Sequence, residues 1–403
     1  MKILINTIST KKITGGAFQI AQNFLLKSLE HHEIEWLYVT SQDVDDAVGN
    51  YFSELKGKRY FVFPTQPDYM GTYRKVKKRL KLIEQELAPD LVYSITAPCY
   101  FTFNVLEVMR FTNPWATHPN KYAWSSLSLI ERIRYYLYGL NQKRLMQEAH
   151  YFITQTETCA KGIMRITGES HDHVKVVNNV LPLNFKRSDI TPIMDNKYIN
   201  IASVGAAIPH KNFDIIPDVI SELERLGISN VRFHLTIDSE SAVGEKLNAK
   251  LKKYGLGERV INHGRMTQKD LGEMYRRCQF CFIPTLLEVF SASVLEAMYF
   301  KLPVVATNFD FNTEILEDSC LYYEPKNPID AAHQLAKLIG DSDLQDKCVQ
   351  KMQRLLLKYG DYDEHFNSIM TFLTKVVGIE EHTALAEDVS SGARGYVDGG
   401  GEG

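Results

Sequence analysis

The feature that most constrains this chain is an alternation, run through twice, of short apolar segments with longer segments of helical period. Residues 2–8, 35–40, 58–63, 90–95, 108–112, 151–155 and 174–177 read as strands, with helical pattern at 17–29 and 73–87. A second series places strands at 199–204, 231–237, 260–263, 280–284 and 303–307. Helices at 214–226, 245–254, 268–278, 292–300 and 328–339 lie between and after them. Parallel strands need crossover connections, so such a chain folds as helices covering a parallel sheet. Between the two series, 186–198 is polar, contains a proline and keeps no period, which predicts a linker. The expected fold class is therefore α/β: two facing, doubly wound, Rossmann-like domains, 1–185 and 199–360. The default ligand site of such a pair is the cleft between them. A C-terminal helix over 361–378 is expected to pack back toward the first domain. Residues 379–403, acidic and ending in a glycine run, read as a flexible appended tail.

Charge and cysteine usage narrow the class of protein. The 403 residues carry 46 Lys and Arg against 49 Asp and Glu, a net charge of −3, so no global basicity points to nucleic acid. The balance is uneven: 22 − 17 = +5 over residues 1–185, and 24 − 32 = −8 over 186–403. No apolar run reaches the 18–20 residues or so that span a bilayer. Six cysteines without framework spacing favour a reducing compartment, the cytoplasm. Cys278 and Cys281 form a CxxC without a second ligand pair and read as buried thiols. Arg74, Lys75, Lys77, Lys78, Arg79 and Lys81 share the outer face of the helix over 73–87. They make residues 73–83 a solvated face or a dock for anionic lipid headgroups, placing the protein peripherally at the membrane face.

The most informative stretch runs from Pro284 to Met298. A strand ends at Pro284, Glu288 follows in a short loop, Ser291 is placed to cap the next helix, and Glu296 projects from that helix's second turn. The free N–H groups around Phe290–Ser293, at the start of such a helix, suit a diphosphate, and Val289, Phe290 and Ser291 are candidate donor-binding residues. A carboxylate beside phosphates suits sugar hydroxyls. Gly15 and Gly16, directly after the first strand, lack Cβ and allow close backbone approach to a ligand. Neither a G-x-G-x-x-G nor a G-x-x-x-x-G-K-[ST] is present, which argues against dinucleotide oxidoreductases and P-loop ATPases. Asp43-Val-Asp45 lies in a polar stretch, so no catalytic metal or other cofactor is expected.

Glu288 and Glu296, with seven residues between them and Leu302-Pro303-Val304-Val305 beyond, resemble the E-x7-E region of family 4 retaining glycosyltransferases of GT-B fold. Gly15-Gly16, Val177-Asn178-Asn179-Val180, Val204-Gly205 through Lys211, and Glu314 match further family motifs in order. The resemblance implies a nucleotide-diphosphate sugar as donor and a saccharide or lipid-linked acceptor, in cell-surface polysaccharide or glycolipid synthesis. It also implies Glu296 on the ribose, Glu288 on the donor sugar, and Gly205 and Lys211 at the diphosphate. Where the family usually places an Arg this chain has Ala206; Arg265, after another strand, is a candidate replacement, and His210 a weaker one. The family's histidine on the first domain maps onto the region 110–118, where His118 and Asn113 are both candidates. A nucleotide-sugar epimerase or hydrolase of the same fold, or a catalytically silent sugar-nucleotide-binding scaffold, are the alternatives.

Overall fold

The computed structural model describes residues 1–12, 16–63, 73–98, 101–181, 189–193 and 197–392, with backbone alone over 380–392. In the first domain the chain runs β1 (Lys2–Thr7), α1 (Gly16–Ser28), β2 (Glu35–Ser41), α2 (Gln42–Val48), β3 (Tyr60–Phe63), α3 (Tyr73–Leu87) and β4 (Leu91–Ala97). It continues through β5 (Glu107–Phe111), α4 (Pro114–Thr117), α5 (Lys121–Ser125), α6 (Leu129–Met146), β6 (Tyr151–Thr154), α7 (Glu157–Thr167) and β7 (Val174–Val176). The second domain holds β8 (Ile199–Ser203), α8 (Ile216–Arg225), β9 (Val231–Leu235), α9 (Ala242–Tyr254), β10 (Val260–Asn262), α10 (Gln268–Arg276) and β11 (Phe280–Ile283). It closes with α11 (Ala292–Tyr299), β12 (Val304–Thr307), α12 (Asp310–Leu316), β13 (Leu321–Tyr323), α13 (Pro328–Gly340) and α14 (Ser342–Lys358) before α15 (Tyr362–Gly392).

Both sheets are parallel, in the orders β3-β2-β1-β4-β5-β6-β7 and β10-β9-β8-β11-β12-β13. Each order reverses beside its first strand, between β1 and β4 and between β8 and β11. A crevice opens at the carboxyl ends of the strands at such a reversal. The strands are buried on both faces, every residue of β12 and all of β1 but Lys2, because helices cover both sides.

The second series of elements does not end the chain. Phe366, Ile369, Phe372, Leu373 and Val376 of α15 lie in the first domain's core with Phe24, Trp36 and Tyr93. Helix α15 thus crosses from the second domain onto the first. Its backbone stays helical to Gly392, past residue 379 where the sequence suggested a tail; 393–403 lie outside the described residues. In the linker region, Asp189 pairs with Arg276 at 2.9 Å, and Arg276 Nε donates to Thr191 O, strapping the connection to α10.

Candidate active site

A cavity of about 430 Å³ opens between the domains, and almost every residue lining it follows the carboxyl end of a parallel strand. From the first domain come Gly16 and Ala17 after β1, Arg110 and Thr112 at the end of β5, Gln155 after β6 and Asn179 after β7. From the second come Gly205 and Lys211 after β8, and Glu288, Phe290, Ser291 and Glu296 around the β11–α11 loop. Gly15 lies outside the described residues.

Lys211 and Glu288 form the electrostatic centre. Lys211 ends a single 3-10 turn (Pro209–Lys211), is 8% exposed, and places Nζ 2.5 Å from Glu288 Oε2. Burial pushes the Glu288 carboxyl up, but Lys211 and the Val289 N–H, donated to Oε1 at 3.1 Å, outweigh it and hold the group below its ordinary value. Gly205 keeps this floor narrow: a Cβ there would stand 3.1 Å from Phe213 Cζ and 3.5 Å from Lys211 Cδ. His210, the weaker cation candidate, is not one. Burial lowers it to about 4, and its ring packs edge-on against Trp115 at 5.5 Å.

Glu296 is 6% exposed, and its Oε2 accepts a hydrogen bond from Tyr275 Oη at 2.7 Å. Burial raises its carboxyl to about 7, against the opposing effects of the Tyr275 hydroxyl and Lys211. Between the two carboxylates, α11 starts in the cavity wall. Ser291 occupies the N-cap position but does not cap: its hydroxyl pairs with Ser293 Oγ at 2.8 Å instead. The first-turn N–H groups of a helix have no α-helical acceptor, and Ser291, Ala292 and Ser293 at the start of α11 line the cavity with Lys211.

Several predicted residues serve elsewhere. Val289 is 1% exposed and inserts its side chain into the first domain's core beside Met109 and Phe111, so it fastens the loop rather than lining the cavity. Asn113 caps α4 through the Trp115 N–H and donates to Gln142. His118 does not line the cavity. Its Nε2 donates to Glu288 O across the domain boundary at 2.7 Å, and Nδ1 meets Thr117 Oγ1 at 2.8 Å. A carbonyl only accepts, so this pairing requires a proton on Nε2, and burial lowers the ring's pKa and favours the neutral form. Arg265 is exposed on the loop after β10, the sheet edge two strands from β8, and is not among the cavity residues.

The structure also supplies residues that sequence reasoning missed. Thr112 stands where β5 opens on the cavity, the place assigned in sequence to His118 or Asn113. Arg110 is 2% exposed, has no carboxylate within ion-pair distance among the described residues, and leaves Nη2 without a hydrogen-bond partner. Gln155 Nε2 donates to Asn179 Oδ1 at 2.5 Å, while His365 of α15 reaches Asn178 O at 2.9 Å and so ties the last helix to this wall. Asp43 and Asp45 sit in the first turn of α2, where Asp43 accepts the Lys12 N–H and Asp45 pairs with Lys56. Cys278 and Cys281 are buried thiols, pushed up by that burial.

Residues 187–355 match the family described as Glycosyl transferases group 1. An uncharacterized glycosyltransferase of Methanocaldococcus jannaschii is 26% identical over 144 residues, 35% of this chain and 38% of its own length. An uncharacterized 41.2 kDa protein in the cps region of Klebsiella pneumoniae is 26% identical over 158 residues, 38% of this chain and 41% of its own. The chain thus spans about two fifths of the curated relatives it matches. Among solved structures, Anabaena HepE in complex with UDP and glucose superposes with a TM-score of 0.69 at 15% identity, covering 93% of this chain and 99% of HepE. Sucrose-phosphate synthase from Thermosynechococcus elongatus gives 0.70 at 11% identity, covering 94% and 100%. The chain therefore has the GT-B fold, and its residues 187–355 are similar to the Glycosyl transferases group 1 family.

Proposed function

We propose that this chain transfers a sugar, with retention of anomeric configuration, from a nucleotide-diphosphate donor to a hydroxyl of a saccharide or lipid-linked acceptor. The observation that carries the reading is the Lys211–Glu288 pair set between Glu296 and the start of α11, facing the first domain across one cavity. In this arrangement Glu296 accepts from the ribose hydroxyls and Glu288 from the donor sugar. The distal phosphate lies on the first-turn N–H groups of α11 and on Lys211. As the acceptor oxygen bonds to the anomeric carbon, the bond from that carbon to the phosphate oxygen breaks and its electron pair stays on the phosphate. Lys211 and the helix N–H groups stabilise that developing charge, and the same oxygen takes the acceptor's proton. A neutralising Lys211 makes the reaction independent of added metal, which a chelator control tests.

A thermal-shift comparison of UDP, GDP, ADP and dTDP identifies the base, with UDP the first choice because it occupies the similar HepE. A nucleotide at 100 times its Kd should stabilise by about 2.7 kcal/mol. Turnover of the matching nucleotide sugar, with NMR of the product's anomeric proton, then tests transfer and retention. Tight nucleotide binding without release of diphosphate from any donor sugar would leave a silent binding subunit, and an inverted product would remove the same-face route.

A further inference from the structure

Helix α6 has two apolar sides. Its inner side is held by the first domain: Gly139, Gln142 and Met146 are buried, and Tyr135 packs on Trp115 with ring centroids 4.7 Å apart. On the opposite side Leu129, Ile130, Ile133, Tyr136, Leu137 and Leu140 are 73, 80, 56, 59, 59 and 46% exposed. At about 100° per residue these six fall within a stripe of about 120°. With Tyr138, α6 contributes seven of the fifteen exposed large apolar residues among the described residues, so this is a patch rather than scatter.

Cations border the stripe. Arg132 and Lys143 run along one edge, Arg134 along the other, and Arg144 closes its C-terminal end. Glu131, the helix's one acidic residue, points away and completes the capping box with Ser128. The cationic helix α3 adjoins, since Tyr73 and Lys77 share a hollow with Asn141, Arg144 and Leu145 of α6. Arg74, Lys75 and Lys78 of α3 are exposed, and so is the apolar Leu82. The surrounding half of the chain is the positive one, 22 − 17 = +5 over residues 1–185.

We propose that the outward side of α6, with the adjoining cationic face of α3, lies on an anionic lipid bilayer, its apolar side chains entering the boundary between headgroups and acyl chains. An apolar stripe edged by Arg and Lys is the composition of an interfacial helix. The charge also argues against a second copy as occupant. Pairing α6 with itself would set Arg132, Arg134, Lys143 and Arg144 against their own counterparts, with no acidic side chain on the stripe to answer them. No helix among the described residues is long and apolar enough to cross a membrane, so the contact lies on the surface. The sequence pointed to α3 alone; the structure adds the apolar element that charge by itself lacks.

The test is co-sedimentation of the full chain with vesicles of phosphatidylcholine, alone or mixed with phosphatidylglycerol, and it does not depend on sugar transfer. The chain should sediment with the mixed vesicles, less so as salt rises, and little with phosphatidylcholine alone. Ile133→Glu with Leu137→Glu should abolish sedimentation while melting temperature and nucleotide-induced thermal shift stay unchanged, since both side chains are exposed. Each of Arg134→Gln, Arg144→Gln and Lys78→Gln should lower partitioning about fivefold. The proposal is overturned if the wild-type chain ignores mixed vesicles at low salt, or if the two glutamates leave binding intact. It is equally overturned if light scattering shows a dimer that those glutamates dissociate.

Discussion

Lys211 faces two demands that a nucleotide would satisfy together. In the free protein its ammonium is paired with Glu288, and both side chains have little access to water. A bound diphosphate offers Lys211 a second anion, and a sugar offers Glu288 a donor hydroxyl, so the pair need not break. Lys211→Ala should therefore cost a nucleoside diphosphate about 1.5–3 kcal/mol by calorimetry, the range of a hydrogen bond to a charged group, and a monophosphate much less. Equal losses would move Lys211 away from the distal phosphate. Glu296 adds a pH dependence. Burial raises its carboxyl from 4.5 to about 7, so it is protonated below that value and ionised above. Ionisation gives the carboxylate its full acceptor capacity, hence nucleotide affinity should rise with pH through about 7. In Glu296→Gln that step should vanish at an affinity below the wild-type plateau; persistence of the step would assign it to another group. Glu288 and Glu296 were legible because their chemistry depends on short spacing around one strand–helix junction, and Lys211 because the resemblance placed it after the first strand of the second domain. Arg110 and Thr112 at the end of β5 and Gln155 after β6 were not, because only the sheet order brings these strand ends to one wall with Asn179. His118 misled for a related reason: a histidine near a strand end has the right chemistry, but a loop of a few residues turns it onto the Glu288 carbonyl.

Helices were legible to the degree that each has one apolar side. α8 and α10 bury a single stripe and came out of the sequence within a few residues of their bounds. α6 did not, since apolar residues on both its inner and outer sides cancel any single period. Short α4 and α5 are set by their caps, Asn113 and Asn120, rather than by periodicity. The caps also work between domains. Glu314 of α12 accepts the Glu157 N–H at 2.5 Å and the Thr158 N–H at 2.9 Å, together with Thr158 Oγ1 at 2.8 Å. A carboxylate of the second domain thus covers the N-terminus of α7 in the first, where its charge also meets the helix dipole. Asn120 Nδ2 donates to Leu286 O at 2.7 Å and holds the loop that carries Glu288. Glu314→Ala leaves the α7 N–H groups without this acceptor, and urea denaturation should show a loss of about 1–3 kcal/mol. Nucleotide affinity should change little, since Glu314 lines a separate hollow with His118, Lys161 and Arg165. A large fall in affinity at unchanged stability would instead make Glu314 part of the ligand site.

Two doubly wound domains follow from the alternation of short apolar runs with helical segments, and a C-terminal helix over 361–378 is expected to pack back toward the first. Apolar periodicity shows that α15 has a side to bury and leaves open which residues receive it. The structure answers with Phe366, which stacks on His31 at 4.6 Å and packs against Phe24 at 4.8 Å, both in the first domain. Helix α15 therefore completes the first domain's core after the second domain has been made, while its His365 reaches the Asn178 carbonyl beside the cavity. The chain crosses between domains twice, between β7 and β8 and again between α14 and α15. Phe366→Ala should accordingly destabilise the first domain by about 3–5 kcal/mol, the cost of emptying a buried aromatic site. In calorimetry this should appear as a first-domain transition moved to lower temperature, separating from a second-domain transition that stays in place. In the proposed site the nucleotide rests mainly on Lys211, Glu296 and α11 of the second domain, so it should still raise the unmoved transition. If both transitions fall together, α15 supports the molecule as a single cooperative unit rather than as the closing element of its first domain.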